Sequence, residues 1–248
     1  MGPEQLAPDY EALLATIGDT RRGRLLDVPS GPGMLARALA ARGFGDIVAV
    51  DLLPASEFRG AAGIQYVRHD IETPLPFPDA AFDVVVSREG IEHLVCPFGF
   101  LREACRVLRP GGRLFLTTPN VMSVDGRIKF LLTGYFPKFR DMVNDRVGLM
   151  RQEHQGHISP IYFWQLVTFL ERFGLCLETV ATDTLVQQRL PHKRLLHSLA
   201  GYLIRYTTRR RGFDGLGIVS DSVLFGDSLI VQARKTESGA WLSSAAVA

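Results

Sequence analysis

The stretch "LLDVPSGPGMLARALA", residues 25 to 40, is the part of the sequence that indicates the fold most clearly. An apolar run ends at Asp27, a short loop with two glycines follows, and the chain then becomes rich in alanine and leucine. This order is typical of a buried strand, a ligand-binding loop and the start of a helix. The loop lacks the lysine of a triphosphate site, GxxxxGK[ST]. The dinucleotide pattern GxGxxG needs glycine at position 36, where the chain has Ala36, so that alternative is weakened but stays open.

The alternation of strands and helices continues beyond this stretch. Apolar or alternating runs predict strands, and longer amphipathic segments that end at glycine or proline predict helices. The continuous apolar strands indicate a sheet buried on both faces. We therefore predict an α/β fold, a Rossmann-like doubly wound, seven-stranded and mostly parallel sheet. The strands are expected at 24–28, 46–51, 64–70, 81–87, 113–120, 175–182 and 227–235, and the helices at 33–43, 98–112 and 159–174, the last capped by Ser159.

Composition and charge limit the classes of protein that fit. The chain has 248 residues, 46% of them hydrophobic, and a formal charge of +2, which fits one α/β domain and gives no electrostatic argument for nucleic acid. No apolar run approaches the roughly 20 residues that span a bilayer. The first residues carry acids and prolines where a signal peptide has a basic start. Three cysteines without metal-type spacing indicate a reducing compartment, so we expect a cytoplasmic protein.

The second half of the chain departs from the strand and helix alternation. We predict one domain over 1–236, with a helical insertion or lid at 121–157, and a flexible tail at 237–248. The insertion interleaves aromatic with basic residues and could pack on the core as a cap or cover an apolar acceptor. The segment 192–212 combines an apolar stripe with arginines. It could lie peripherally on an anionic membrane, or its arginines could simply complement a helix dipole.

Carboxylates follow the second and third predicted strands. In a doubly wound sheet the ligand lies beyond the carboxyl ends of the strands. Asp51 comes about twenty residues after the glycine loop and is placed to accept hydrogen bonds from ribose hydroxyls. Asp70 could hold an adenine amino group, and Ile71 could cover the ring. The three strand ends together indicate a nucleoside-containing ligand.

These residues, with "LPFPDAAFDVVVS" and "LREACRVLRPGGRLFLTTPN", resemble class I S-adenosylmethionine-dependent methyltransferases of the bacterial group with an "EH…RVLRPGG" signature. The resemblance covers about residues 23 to 120 and the segment "GHISPIYFWQLVTFLERFG". It implies S-adenosyl-L-methionine as cofactor. It says little about the acceptor.

The resemblance also implies roles for individual residues. The amino-acid end of the cofactor, its ribose, its adenine and its sulfonium would each meet residues at one strand end. Pro29 departs from the family, which usually has glycine there, and it removes one N–H and fixes φ. We expect a stiffer loop that still binds. The implied cofactor-binding residues are Asp27, Pro29, Gly31 and Gly33 in the loop, Asp51 and Leu52, Asp70 and Ile71, and Ser87.

The acceptor side carries two acids and several histidines. The fourth strand ends without the [DN]PP[YF] motif of enzymes that methylate DNA-base amines, so DNA is not expected as a substrate. Glu89, Glu92, His93 and His157, with His154, could form a divalent metal site. Small-RNA terminal 2′-O-methyltransferases and ubiquinone-pathway O-methyltransferases show a similar Glu-x-x-Glu-His arrangement. The alternative, which we prefer, is no metal.

Without a metal, the same residues suggest acid–base chemistry. A neutral imidazole of His93 or His157 could remove a hydroxyl proton, and Glu89 is the third candidate catalytic residue. Glu92 could instead orient the loop, with His93 beginning the next helix. We predict O-methylation of a small-molecule, sugar or glycan, quinone or lipid-linked hydroxyl. The alternatives are metal-assisted RNA 2′-O-methylation through Glu89, Glu92, His93 and His157, which the near-neutral charge disfavours, and a non-catalytic binding protein.

Overall fold

The computed structural model describes residues 7–18, 20, 23–139, 156–185, 194–212 and 215–237. The strands in these residues are β1 Leu25–Asp27, β2 Ile47–Asp51, β3 Ile64–Arg68, β4 Phe82–Arg88, β5 Leu108–Pro119, β6 Leu175–Thr182 and β7 Ser228–Lys235. They form one seven-stranded sheet in the order β3-β2-β1-β4-β5-β7-β6. β7 is antiparallel to both of its neighbours, and the other pairs are parallel. This arrangement confirms the predicted fold class.

The side chains of the central strands are buried on both faces of the sheet. Successive side chains point to opposite faces, so neighbouring residues of one strand belong to different apolar clusters. Leu26 and Val85 belong to one apolar cluster, and their neighbours Leu25 and Val84 belong to the other. A continuous apolar run therefore serves two cores, as expected for a parallel sheet covered by helices.

Helices cover each face of the sheet. The described α-helices are α1 Pro8–Ile17, α2 Met34–Ala41, α3 Pro97–Val107, α4 Val124–Thr133, α5 Phe163–Arg172, α6 Arg194–Arg210 and α7 Asp221–Phe225. α1 and α2 contribute to the cluster around Leu25, and α3 and α5 contribute to the cluster around Leu26. Apolar residues at helical spacing on each helix provide these contacts, as Leu13, Leu14 and Ile17 do on α1.

Two predicted helix boundaries were wrong. The helix expected over 98–112 ends at Val107, because Leu108 is fully buried and pairs with Phe82 as the first residue of β5. The helix expected to begin at Ser159 begins at Phe163. Ser159 does not cap it, because its hydroxyl donates to the Leu94 carbonyl at 2.6 Å. In both places a tertiary contact overrides the local helix signal.

The predicted insertion contains α4 and a short 3₁₀ turn at Pro137–Phe139. Phe136 and Phe139 are buried, whereas Leu131 and Leu132 at the end of α4 are exposed. The rest of the insertion, 140–155, lies outside the described residues, as does 238–248 of the predicted tail. Within the described part of the chain, no helix is long and apolar enough to cross a membrane.

Candidate functional site

Two adjacent cavities lie at the carboxyl ends of β1, β2 and β4. Since β1 lies between β2 and β4, this is the point where the strand order reverses, which is where doubly wound sheets bind ligands. Pro29, Asp51 and His93 line both cavities. The first, about 240 Å³, is also lined by Tyr10, Asp27, Ser30, Gly31, Pro32, Leu35, Arg88 and Glu89. The second, about 100 Å³, is also lined by Leu52, His69, Asp70, Ile71, Glu72, Gly90 and Leu94.

Asp51 fixes the glycine loop from the neighbouring strand. Its Oδ2 accepts the Gly31 amide at 2.7 Å, and its Oδ1 accepts the Leu53 amide at 3.1 Å. The carboxylate therefore holds the loop after β1 against the loop after β2. Pro29 follows a cis peptide bond, and Gly90 lies so close that a Cβ there would be 2.4 Å from the Pro29 Cδ.

The two loop glycines differ in what surrounds them. Gly31 has φ +52° with open space where a Cβ would stand. Gly33 has φ +90°, and its Cβ would lie 2.5 Å from the ring of Phe58. Backbone conformation demands glycine at both positions, but close packing adds a second demand at Gly33 alone.

Replacing Gly33 by alanine is expected to destabilise the protein more than replacing Gly31. Gly31→Ala costs about 1–2 kcal/mol for the left-handed backbone, and Gly33→Ala adds about 1–3 kcal/mol for displacing the Phe58 ring. Urea unfolding of both variants would measure the difference in the free energy of unfolding. Equal destabilisation would show that Phe58 moves away at no cost.

Asp27 is fully buried at the end of β1. Burial, and then the negative charge of Asp51, raise the pKa of Asp27 to about 8. Because this pKa lies above that of the unfolded chain, the contribution of Asp27 to stability is present at acidic pH and is lost as the pH rises towards 8. A cation placed beside it would favour the charged carboxylate. The amino group and sulfonium of the predicted cofactor are such cations.

Helix α1 brings Asp9 and Tyr10 to Arg88 at the end of β4, and the sequence analysis missed all three residues. The Arg88 guanidinium is ion-paired with Asp9 and lies 3.7 Å from the centroid of the Tyr10 ring. Tyr10 and Arg88 both line the larger cavity. Pro8 in the first turn and the apolar spacing of α1 could have indicated this helix. Its contact with Arg88 joins residues 79 apart in sequence, which no local pattern indicates.

The remaining predicted cofactor residues fall into two groups. Leu52, Asp70 and Ile71 line the smaller cavity. The Asp70 Oδ1 accepts the Glu72 amide at 3.0 Å, which orients the carboxylate. The Ser87 side chain is fully buried and lies outside the lining of both cavities. The next two residues of the chain, Arg88 and Glu89, line the larger cavity in its place.

The predicted cluster of acids and histidines is assembled beside these cavities. One nitrogen or oxygen of each of Glu92, His93 and His157 lies within 4.8 Å of the others. The His93 and His157 ring centroids are 4.7 Å apart. The Glu92 carbonyl accepts the Ile158 and Ser159 amides, both at 2.9 Å, and so holds the segment that carries His157. His154 lies outside the described residues.

Glu92, which is fully buried, and Glu89, which is partly exposed, interact as a pair. Burial, and then the charge of Glu89, raise the pKa of Glu92, while burial raises the pKa of Glu89 and Lys138 partly offsets that effect. The pair therefore retains a proton near neutral pH. Glu89 has φ +44°, a conformation that is rare for residues with a side chain, and its amide donates to the Thr117 hydroxyl at 2.9 Å. Such an outlier is typical of functional sites.

His93 is the histidine of the pair that reaches the cavities. Its Nδ1 lies 3.3 Å from the Gly156 carbonyl oxygen. Because a carbonyl can only accept, this contact favours the tautomer with a proton on Nδ1 and a bare Nε2. His157 lies outside the lining of both cavities, and its ring centroid is 5.3 Å from that of Phe139. The geometry thus separates the two candidate bases that the sequence left equivalent.

A third cavity, of about 320 Å³, lies beside the cluster. Phe139, which contacts His157, and Lys138, whose charge acts on Glu89, both line it. Lys138 donates to the Ser228 hydroxyl at 2.9 Å. The cavity is also lined by Pro119, Asn120, Val121, Ser123, Asp125, Lys129, Phe136, Pro137 and Asp227.

Known proteins match this chain in sequence. A ubiquinone biosynthesis O-methyltransferase of Xylella fastidiosa is 38% identical over 104 residues, which are 39% of this chain and 42% of the relative. An uncharacterized methyltransferase of Mycobacterium sp. is 39% identical over 139 residues, 52% of this chain and 54% of the relative. The matched region thus spans about half the length of these relatives.

A putative methyltransferase of Bacillus halodurans has a similar crystal structure, with a TM-score of 0.60, 22% identity and coverage of 93% of this chain and 100% of that one. This likeness shows the shared fold. The family model described as a methyltransferase domain matches residues 3–180, which include β1 to β5, the glycine loop and the acid and histidine cluster. The chain therefore belongs to the methyltransferase domain family.

Proposed function

We propose that this protein transfers the methyl group of S-adenosyl-L-methionine to a hydroxyl oxygen of a small molecule. The observation that carries the proposal is His93, which lines both cavities while the Gly156 carbonyl contacts its Nδ1. The relatives that match part of this chain include O-methyltransferases of ubiquinone biosynthesis, which supports methyl transfer to oxygen. A sugar or glycan, a quinone-like ring and a lipid-linked hydroxyl are the acceptor classes we consider.

We assign the two cavities at the strand ends to the cofactor. The loop of Gly31 and Gly33 would hold the amino-acid end of the cofactor near Asp27. The cofactor's amino group and sulfonium would then stabilise the charged Asp27 carboxylate. Asp51 would accept the ribose hydroxyls. The fit is supported by the buried Asp27 carboxyl and by Gly31, which both line the larger cavity, whereas Gly33 lies outside the lining of both cavities and packs on Phe58.

In the smaller cavity, Asp70 would accept the adenine amino group, while Ile71 and Leu52 would pack on apolar parts of the nucleoside. When bound, the cofactor supplies an electrophilic methyl group on a sulfonium. Pro29 lines both cavities, so it would contact the cofactor along its middle.

We assign the proton transfer to His93. Its Nε2 would accept the acceptor's hydroxyl proton as the oxygen attacks the methyl carbon. The Gly156 carbonyl would keep the ring oriented by accepting from Nδ1. The Glu89 and Glu92 pair would stabilise the resulting imidazolium through its negative charge. His157 and Glu92 then act by positioning rather than by contact with the acceptor.

We assign the third cavity to the body of the acceptor, whose hydroxyl would extend past the cluster to His93 at the cofactor cavities. The third cavity lies beside the cluster through Phe139 and Lys138, and its lining combines aromatic rings with charged side chains. A ring-shaped hydroxylated molecule fits this mixture of apolar walls and polar contacts.

A panel of acceptors tests the proposal. The protein would be incubated with S-adenosyl-L-methionine labelled in its methyl group and with catechols, sugars, lipid-linked hydroxyls, primary amines or short RNA. We expect labelled ether products and no transfer to the amines. Transfer to nitrogen alone would overturn the proposal, transfer to RNA would favour the 2′-O alternative, and cofactor binding without transfer to any acceptor class would favour a binding protein.

A metal-assisted version of the reaction is the second candidate, because Glu92, His93 and His157 are close enough to share one cation. Two imidazoles and a carboxylate suit zinc and similar divalent ions. A cation held there would acidify a hydroxyl bound to it. Chelation followed by metal addition separates the two versions. Loss and recovery of activity indicate the metal, while unchanged activity indicates His93 as the base.

A further inference from the structure

Helix α6 turns its apolar side chains outwards. Leu195, Leu199, Tyr202 and Tyr206 recur at helical spacing and form one stripe along the helix. Leu195 is 85% exposed, Leu199 57% and Tyr202 64%. The outer face of α6 is defined by this stripe and its neighbours, Leu195, Leu196, Leu199, Tyr202, Leu203 and Tyr206, all of them exposed.

The opposite side of α6 is packed against the protein. Ile204 and Ala200 pack on the apolar cluster of Leu224 and Phe225 from α7. Gly201 approaches so closely that a Cβ there would lie 2.5 Å from the Phe225 ring. These contacts set the rotation of the helix. The outer face is therefore apolar even though a second face already supplies the packing.

Helix α4 also holds α6 against the protein. The buried His197 lies 3.7 Å from the Asp125 carboxylate of α4. Leu131 and Leu132 at the end of α4 are exposed as well, at 83% and 75%. A row of exposed apolar side chains such as the outer face of α6 is unusual on a surface that faces only water, and it marks a binding face.

The charge on α6 has one sign. Residues 194–211 contain no aspartate or glutamate, and Arg209, Arg210 and Arg211 follow one another at the end of the helix. Arg205, in contrast, is ion-paired with Asp221 and belongs to the packed side. Three arginines beside an apolar stripe complement a surface that is anionic and has an apolar layer below.

We propose that the outer face of α6 binds the surface of a membrane that contains anionic phospholipids. The helix would lie in the plane of the interface, with its leucines below the headgroups and its arginines among the phosphates. Tyr202 and Tyr206 suit the boundary, since aromatic side chains with a polar end favour that depth. The 17 residues of α6 give a contact about 25 Å long.

A second copy of this chain fits the face less well. Two α6 helices packed against each other would bring in no carboxylate of their own to pair with Arg209, Arg210 and Arg211. Phosphate headgroups provide that negative charge at high density. The charge pattern therefore favours lipid over self-association.

The membrane face also bears on the acceptor, a step that rests on the proposed function. Asp125 and Lys129 of α4 line the third cavity, and α4 is the helix against which His197 anchors α6. Docking through α6 would hold this cavity near the lipid surface. A hydroxylated acceptor carried on or dissolved in lipid is the class that benefits from such placement.

Flotation of the full chain with vesicles tests the membrane contact. We expect binding to vesicles of phosphatidylcholine with about a third phosphatidylglycerol and much weaker binding to phosphatidylcholine alone. Leu199→Glu should lower the vesicle affinity at least 10-fold, because it places a charge in the apolar stripe. Arg209→Glu, Arg210→Glu and Arg211→Glu together should lower it about 100-fold, since each cation contributes near an anionic surface.

Trp164→Glu on α5 is the matched control, because Trp164 is also a half-exposed apolar residue but lies on another helix. It should leave vesicle binding unchanged, and all variants should retain their circular dichroism and cofactor affinity. Absence of vesicle binding, or undiminished binding by Leu199→Glu, would overturn the proposal. So would a lipid-free dimer that Leu199→Glu converts to a monomer. Vesicle binding without hydroxyl methylation would overturn the proposed function and leave this inference standing.

Discussion

Replacing His93 by alanine is expected to lower kcat for the methylated hydroxyl acceptor by about 10²- to 10⁴-fold, the range of general base catalysis. The acceptor oxygen would lose the group that removes its proton. The affinity for adenosylhomocysteine should change little, because His93 lines the cofactor cavities without an assigned hydrogen bond to the cofactor. Initial rates with saturating cofactor, combined with calorimetry, measure both quantities.

His157→Ala provides the matched comparison. His157 lies behind His93, and we assign it a positioning role, so its loss should lower kcat less than the loss of His93 does. A more acidic acceptor, which needs less help from a base, should restore part of the rate of His93→Ala and little of that of His157→Ala. Equal losses in both variants, with sensitivity to chelators, would contradict the base assignment and support a shared metal.

Replacing Asp51 by alanine is expected to raise the dissociation constant of S-adenosyl-L-methionine by about 100-fold or more. Two effects combine. The ribose hydroxyls would lose a charged acceptor, at about 1.5–3 kcal/mol for each such hydrogen bond, and the loop would lose the bond between Gly31 and the carboxylate. Isothermal titration calorimetry measures the affinity, and urea unfolding measures the accompanying loss of stability.

Asp51→Asn and Asp70→Ala are the controls for this prediction. Asparagine keeps the size and one acceptor oxygen, so the dissociation constant should rise less than in Asp51→Ala. Asp70 is exposed and bonds to an amide of its own turn, so its loss should affect cofactor affinity without loosening the glycine loop. An unchanged affinity in Asp51→Ala would show that the ribose binds elsewhere.

Some of the fold was readable from local sequence patterns and some was not. The buried strands were predicted because a short continuous apolar run is typical of a strand that is covered on both faces of a parallel sheet. The end of α3 and the start of α5 were missed, since Leu108 and Ser159 follow contacts with Phe82 and Leu94 that outweigh local helix signals. Helix α1 was missed although Pro8 and its apolar spacing could have indicated it, whereas its contact with Arg88, 79 residues away, has no local signal.

Local sequence patterns predicted the strands, the glycine loop and the carboxylates at the strand ends, because each pattern involves residues close together in the chain and parallel strands end at one edge of the sheet. The folded structure was needed to show that His93 and not His157 lines the two cofactor cavities and that Arg88 pairs with Asp9. It was also needed to show that the apolar stripe of α6 faces outwards. These features depend on contacts between distant segments, and an amphipathic pattern alone does not say which of two faces is packed.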